Sequence, residues 1–245
     1  RTTWLWLLLP PALLAALAQQ PGLRETAPAE IASALLVAYL ARISGESRLS
    51  IGFPFMRRIG SAALAATGPV VNVLPLLPDI DDSMTLADVS QALQSEIKQV
   101  RRHQRYEAEQ LRRDLGLVGS GQPLYGPVIN LKIYHDSLAF DGIDAVSHTL
   151  AMGPVDDLEF EIGFQLGQLQ VTLVANPDKY DAQMLAWHGE RIVCLARQLA
   201  QQPRLPLARL ALVAGLEQQQ IDEWSQGIAV TPPEGVVSIL AMLQR

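Results

Sequence analysis

One stretch of the chain, residues 158–201, restricts the fold more than any other. Apolar and polar residues alternate, the pattern breaks at QLGQ, and it then resumes, with the apolar set Leu158, Phe160, Ile162, Phe164, Leu169, Val171 and Leu173. A period of two on both sides of a turn predicts an antiparallel β-hairpin with one buried face. From Asp181 to Gln201 the apolar spacing becomes helical, along Met184, His188, Ile192, Leu195 and Leu199. The stretch therefore predicts a strand pair covered by a helix.

The rest of the chain repeats these two kinds of segment. Two further long helices are predicted, one from Pro28 to a stop at Gly45 and one that opens with a capping pair, Thr85 and Asp88. Strand alternation occurs at residues 49–55, residues 70–77 and residues 129–134, the last with Ile129, Leu131 and Ile133 opposite Asn130, Lys132 and Tyr134. We expect an α/β fold, a mixed β-sheet covered by long helices.

Composition excludes several classes of protein. With 245 residues and 49% hydrophobic content, the chain is long enough to bury a core. Its net charge of −6 argues against a general nucleic-acid binder, which needs a basic surface to neutralise phosphates. The single cysteine, Cys194, cannot form an internal disulfide and lies in an apolar helical pattern, so we expect a buried structural thiol.

The first twenty residues have two interpretations. An arginine, an apolar run and Ala-Leu-Ala before Gln19 resemble a secretory signal peptide. However, there is no initiator Met, Pro10 and Pro11 split the run, and a membrane span needs about 20 apolar residues. We favour a segment inside a domain, with an extended piece followed by a short helix from Leu13 to Ala18.

The usual short motifs of catalysis and metal binding do not occur in the sequence. The histidines, which are His103, His135, His148 and His188, include no adjacent pair. His188 lies on an apolar helix face, which favours a core-edge side chain over a catalytic base, and His148 favours a hydrogen-bonded strand position. Asp156 and Asp157 precede a strand and favour a turn-capping role over shared-proton chemistry. No catalytic residue and no metal site is predicted.

Positive charge is concentrated between residues 101 and 113. The arginines Arg101, Arg102, Arg105, Arg112 and Arg113 are interleaved with Glu107, Glu109 and Asp114. One interpretation is a solvated helix face with internal salt bridges. The other is a surface that docks an acidic partner and attracts it in a salt-dependent manner. For that second role the candidates are Arg101, Arg102 and Arg105.

Two segments, in this order, resemble motifs of the condensation domains of nonribosomal peptide synthetases. The first is TGPVVNVLPL, which is similar to a Gly-x-x-x-Asn motif with Gly68 and Asn72 in place. The second is RRHQRYEAE, which is similar to a His-Gln-x-Tyr-x-x-Glu motif, and its matching residues are His103, Gln104, Tyr106 and Glu109. A weaker third segment, QPLYGPVINLKIY, lacks the charged residues that usually precede it. The segments around the first two motifs look most like siderophore synthetases of the enterobactin type.

The resemblance implies a fold similar to chloramphenicol acetyltransferase, of which this chain would be the second lobe. In the family, the phosphopantetheine arms of two acyl or peptidyl carrier domains enter a tunnel between the lobes, and the acceptor amine attacks the donor thioester. A His-His-x-x-x-Asp-Gly motif in the first lobe assists, and this sequence has no His-His pair. The family therefore gives no catalytic residue here and no directly bound cofactor. Gly68, Asn72 and the second motif would either line the channel or hold the lobe together through buried hydrogen bonds.

The same resemblance suggests how the chain is organised. Residues 1–206 would form the C-terminal lobe of a condensation domain, and residues 207–245 a linker and the start of an adenylation domain. We expect a cytoplasmic fragment that needs its N-terminal lobe, binds no nucleic acid or membrane, and is inactive alone. The alternative is a non-catalytic lobe for carrier docking or scaffolding.

Overall fold

A computed structural model describes residues 3–57, 67–68, 70–132, 138–140, 143–145, 150, 153–165, 168–213 and 215–227. The chain forms two compact units, residues 1–212 and residues 213–245. The first compact unit extends past the boundary predicted after Pro206, to Leu212, while the predicted assignment of the two parts to a condensation lobe and an adenylation start stays a prediction. The difference arises because Leu207 and Leu210 are buried in the hydrophobic core.

The first unit contains eight β-strands and five α-helices among the residues described above. The strands are β1 (Thr3–Leu8), β2 (Ile51–Met56), β3 (Val71–Leu76), β4 (Val128–Lys132), β5 (Leu138–Phe140), β6 (Ile143–Ala145), β7 (Leu158–Gln165) and β8 (Gln168–Ala175). The helices are α1 (Pro11–Ala18), α2 (Pro28–Ser44), α3 (Leu86–Arg102), α4 (Ala108–Asp114) and α5 (Ala182–Gln201). In the second unit the structure shows one helix, α6 (Gly215–Gln226).

Six of the strands form one mixed sheet in the order β1-β8-β7-β4-β2-β3. The predicted hairpin is confirmed: β7 and β8 pair antiparallel, with Phe160 opposite Leu173. Strand β4 lies between β2 and β7 and runs parallel to both. The remaining pairs, β1 with β8 and β2 with β3, are antiparallel. Strands β5 and β6 form a separate two-stranded pair.

The apolar amino-terminal run is part of the sheet. As predicted, an extended piece precedes a short helix: β1 pairs antiparallel with β8, and α1 begins at Pro11. Leu5 and Leu7 pack against the core, while Trp4 and Trp6 point to the other face and are exposed. In the described part of the chain, no helix is both long enough and apolar enough to cross a bilayer.

The helices cover one face of the sheet. Helix α2 contacts α1, α3 and α5 and is buried along most of its length, which agrees with its apolar sequence. It ends at Gly45, whose φ of 72° is a left-handed conformation that glycine adopts without strain. The capping pair of α3 is confirmed, because the backbone N–H of Thr85 donates to Asp88 and that of Asp88 donates to the Thr85 hydroxyl. The Thr85 hydroxyl also donates to the Asp88 carboxylate, and this bond together with that from the Thr85 N–H lowers the pKa of Asp88.

Helix α5 is rotated slightly from the predicted orientation. The expected stripe included Met184, which is 38% exposed, while the adjacent Leu185 is buried instead. The rest of the stripe is confirmed by the buried side chains of Ile192, Leu195 and Leu199. His188 is a half-buried residue that hydrogen-bonds to the hydroxyl of buried Tyr39, as expected of a core-edge histidine.

Several predictions concern less buried or undescribed positions. Cys194 is half-buried rather than fully buried, and its thiol lies beside the polar side chain of Gln198 and the backbone carbonyl of Ala211. Residues Ile133, Tyr134, His135 and His148 lie outside the described residues, as does the segment 228–245 that was expected to begin a further domain.

Candidate functional site

A groove of about 940 Å³ lies on the face of the sheet that the helices leave uncovered. Its floor comes from β2, β3, β4 and β7, through side chains such as Pro54, Val73 and Asn130. These alternate with the buried Phe53, Leu74 and Ile129, which face the helices. The walls come from the start of α4, from residues 123–126 and from residues 154–157. The sheet thus carries the core on one face and an open groove on the other.

The side chain of Asn72 joins β3 to the loop between α3 and α4. It is only 5% exposed, and its Nδ2 donates to the backbone carbonyls of Gln104, at 3.1 Å, and Tyr106, at 2.7 Å. Its Oδ1 accepts from the backbone N–H of Ala108 at 3.2 Å. One side-chain amide therefore satisfies three backbone groups of a loop, which lacks the regular hydrogen bonds of a helix or a sheet. Because Ala108 begins α4, Asn72 holds one wall of the groove against the sheet.

The same wall carries a set of ion pairs. Arg57, at the end of β2, pairs with Glu107, and Arg112 of α4 lies 3.9 Å from Glu109. Tyr106 donates its hydroxyl to Asp114, and this bond lowers the pKa of Asp114. Arg112 and Glu109 therefore fit the interpretation of residues 101–113 as a salt-bridged surface.

The floor of the groove has a polar row across β4 and β7. Asn130 Nδ2 donates to Glu159 Oε1 at 2.9 Å, and next to it Lys132 pairs with Glu161. Burial raises the pKa of Glu159, while the Asn130 hydrogen bond opposes that shift. Tyr125 borders the row, and burial raises its pKa as well. Polar groups at this depth can orient a ligand that enters from solvent.

The structure brings the two sequence motifs together, but mainly through backbone groups. Gln104 and Tyr106 are held by their carbonyls, and the Tyr106 side chain is 47% exposed. His103 caps the carboxyl end of α3 and is exposed, and the Asn72 side chain bonds to the residue that follows it. Gly68 is exposed and has a φ of 117°, which disfavours other residues. Hydrogen bonding between the motifs agrees with the lobe-stabilising alternative, and a channel-lining role stays a prediction.

The candidate docking arginines lie at the carboxyl end of α3. Arg101 and Arg102 are exposed, and neither has a carboxylate at ion-pair distance in the part of the chain that the structure describes. Arg105 follows in the loop and is also exposed. By contrast, the Asp157 carboxylate accepts hydrogen bonds from Lys179 and from the hydroxyl of Tyr180, both beyond β8, and a turn-capping role stays a prediction.

Sequence reasoning missed the polar row on the groove floor. The alternation had assigned Asn130 and Lys132 to the polar face of their strand, and Glu159 and Glu161 alternate with apolar residues in the same way. The missing information was the parallel pairing of β4 with β7, which places Asn130 opposite Glu161 and Val128 opposite Glu159. Parallel neighbours far apart in sequence leave no local signal.

Sequence comparison identifies relatives of this chain. A family model for the condensation domain matches residues 7–222. Vanchrobactin synthetase VabF of Vibrio anguillarum is 44% identical over 200 residues, which are 82% of this chain and 7% of that protein. Enterobactin synthase component F of Escherichia coli (strain K12) is 39% identical over 227 residues, which are 92% of this chain and 17% of that protein.

Solved structures agree with this result. The first condensation domain of the calcium-dependent antibiotic synthetase, in complex with a substrate analogue, matches with a TM-score of 0.74 and 26% identity, over 87% of this chain and 49% of that one. The starter condensation domain of rhizomide synthetase RzmA matches with a TM-score of 0.68 and 29% identity, over 87% and 49%. The chain thus spans about half the length of these structures. The expected fold, of the chloramphenicol acetyltransferase type, is confirmed, and the chain belongs to the condensation domain family of nonribosomal peptide synthetases.

Proposed function

We propose that this chain is the second half of a condensation domain that forms an amide bond in siderophore synthesis of the enterobactin type. The main support is that residues 7–222 match the condensation family model. The chain also aligns with about half of a solved condensation domain. In the reaction, the acceptor amine forms a C–N bond to the donor carbonyl, the C–S bond of the thioester breaks, and the thiol leaves with a proton. The open groove would be one wall of the channel in which the substrates meet.

The chain should be inactive by itself. No His-His pair occurs in its sequence, so the group that assists the amine would come from the other lobe. Holding two carrier-tethered substrates in attacking geometry also requires both walls of the channel, and such positioning supplies a large part of the rate enhancement. The phosphopantetheine arms would belong to the carrier domains, with an adenylation domain next in the parent and the whole protein in the cytoplasm.

A condensation assay tests this proposal. The 245-residue chain is compared with the same chain joined to the first half of the condensation domain of enterobactin synthase component F, using an aryl-acyl carrier and an aminoacyl carrier. We expect amide product, detected by mass spectrometry, from the joined protein only. Product from the chain alone would refute its inactivity. No product from a folded joined protein would refute the assignment and favour a non-catalytic docking lobe.

Carrier docking is the second part of the proposal. Arg101 and Arg102 are exposed and have no ion-pair partner within the described ranges, and this local positive charge on a chain of net charge −6 suits an acidic carrier surface. The double variant Arg101→Glu/Arg102→Glu should weaken carrier binding roughly tenfold or more at low salt and remove most of its salt dependence. The double variant Arg197→Glu/Arg204→Glu changes two other exposed arginines, so it is the matched control and should bind normally. Equal binding by both variants would contradict this docking site.

A further inference from the structure

Glu159 differs from the other acidic side chains around the groove. It lies on the groove floor, on a strand at the middle of the sheet, and it is partly buried. Its hydrogen-bond partner is a neutral amide, Asn130 Nδ2, which occupies one carboxylate oxygen. Among the residues that the structure describes, no cationic group lies at ion-pair distance from this carboxylate.

Neighbouring carboxylates already have cationic partners. The pairs are Arg57 with Glu107, Arg112 with Glu109, Lys132 with Glu161, and Lys179 with Asp157. Asp156 also lines the groove, but its side chain is exposed to water. Each of these cations is therefore paired with another carboxylate, while Glu159 has no cation at ion-pair distance in the described ranges and feels Lys132 only from farther away. Such a site disfavours an anion and favours a group that brings positive charge and N–H donors.

We propose that Glu159 binds the primary amino group of the acceptor substrate in its ammonium form and positions it over the groove floor. The ammonium then loses one proton to water, and the neutral amine attacks. The inference rests on the proposed function, because that function supplies an amine as one of the two reactants. Asn130 Nδ2 donates to one oxygen of the carboxylate, and the side chain lines the groove, so the second oxygen is available for a ligand. Partial burial strengthens the contact, since the carboxylate is less well solvated than one on the surface.

A binding experiment with the whole chain tests this role. The probe is glycyl-aminopantetheine, a stable amide analogue with a free amine, and its N-acetylated form is the uncharged counterpart. Calorimetry at pH 7 should show roughly tenfold tighter binding of the free amine to the unmodified chain, as expected for one charge-assisted contact. Glu159→Gln keeps the Asn130 hydrogen bond but removes the charge, so it should bind both probes equally. Glu46→Gln, an exposed acid in another loop, should retain the preference.

Any outcome that differs from these expected affinities overturns the inference. Equal affinity of the two probes for the unmodified chain, or no binding of the amine probe at millimolar concentration, would mean that the groove does not recognise the amine. A preference that survives Glu159→Gln would assign recognition to another residue. The condensation assay separates this result from the proposed function, because a joined protein can form amide product while its groove fails to distinguish the two probes.

Discussion

Replacing Asn72 by alanine should release the loop between α3 and α4 from the sheet. The variant loses the side chain that satisfies the carbonyls of Gln104 and Tyr106 and the N–H of Ala108. In the described part of the chain, no other side chain hydrogen-bonds to these two carbonyls or to this N–H. The change should therefore affect both global stability and the groove wall that begins at Ala108.

The magnitude follows from the three hydrogen bonds. Each neutral hydrogen bond contributes about 1 kcal/mol net to stability, so three bonds set an upper limit of about 3 kcal/mol on the loss. Tyr106 is partly exposed, and water can reach its freed carbonyl. We therefore expect the free energy of unfolding of the first unit to fall by about 2 to 3 kcal/mol. Asn72→Asp should be at least as harmful, because a carboxylate oxygen would then face two carbonyl oxygens.

Two measurements check this prediction. Urea denaturation followed by circular dichroism gives the change in stability, and hydrogen exchange at the Ala108 amide reports the local contact. Gln91→Ala, which removes an exposed amide from α3, serves as the control and should change stability by less than about 0.5 kcal/mol. If Asn72→Ala matches that control and the Ala108 amide exchanges as slowly as before, the proposed clamp does not exist.

Two further predictions concern packing and pH. In Gly52→Ala the new Cβ would lie 2.6 Å from the Tyr125 ring, so we expect about 1 to 3 kcal/mol of destabilisation by urea denaturation. In Gly153→Ala no atom of a described, non-adjacent residue would lie within 4 Å of the new Cβ, and this control should be nearly neutral. Burial and the nearby Asp157 raise the pKa of Tyr180 to about 12. Because the folded-state pKa is raised, this stabilisation is complete below the unfolded pKa of about 10 and is lost as pH rises towards the folded value. Tyr180→Phe should flatten the alkaline stability profile, and an unchanged profile would contradict the assignment.

Local sequence patterns predicted the elements that depend on neighbours in the chain. The hairpin of β7 and β8 follows from alternation on both sides of a short turn, and α3 begins where Thr85 and Asp88 cap it. The error at Met184 shows the limit of this reasoning. An apolar pattern that starts at Met184 has nearly the same helical period as one that starts at Leu185. Only packing against the rest of the protein decides that Leu185 is the buried residue.

Contacts between distant segments could not be predicted from such patterns. The order of β2, β4 and β7 in the sheet is set by parallel crossovers, which carry no turn signature. For that reason Glu159 and Asn130 were not recognised as neighbours. The motif resemblance did point to Asn72 and residues 103–109, but the structure was needed to show that an amide side chain joins them.

The pairing of β1 with β8 has a consequence for the time course of folding. Thr3 lies opposite Ala175, so an early segment of the chain completes its hydrogen bonds only with a segment made much later. Pairing across such a separation is slow, because the entropy of closing the intervening loop is lost before contacts form. During synthesis the apolar β1, with its Trp4 and Trp6, would therefore remain unpaired until β8 has been made. Chaperone binding to this segment should therefore end when β8 has left the ribosome.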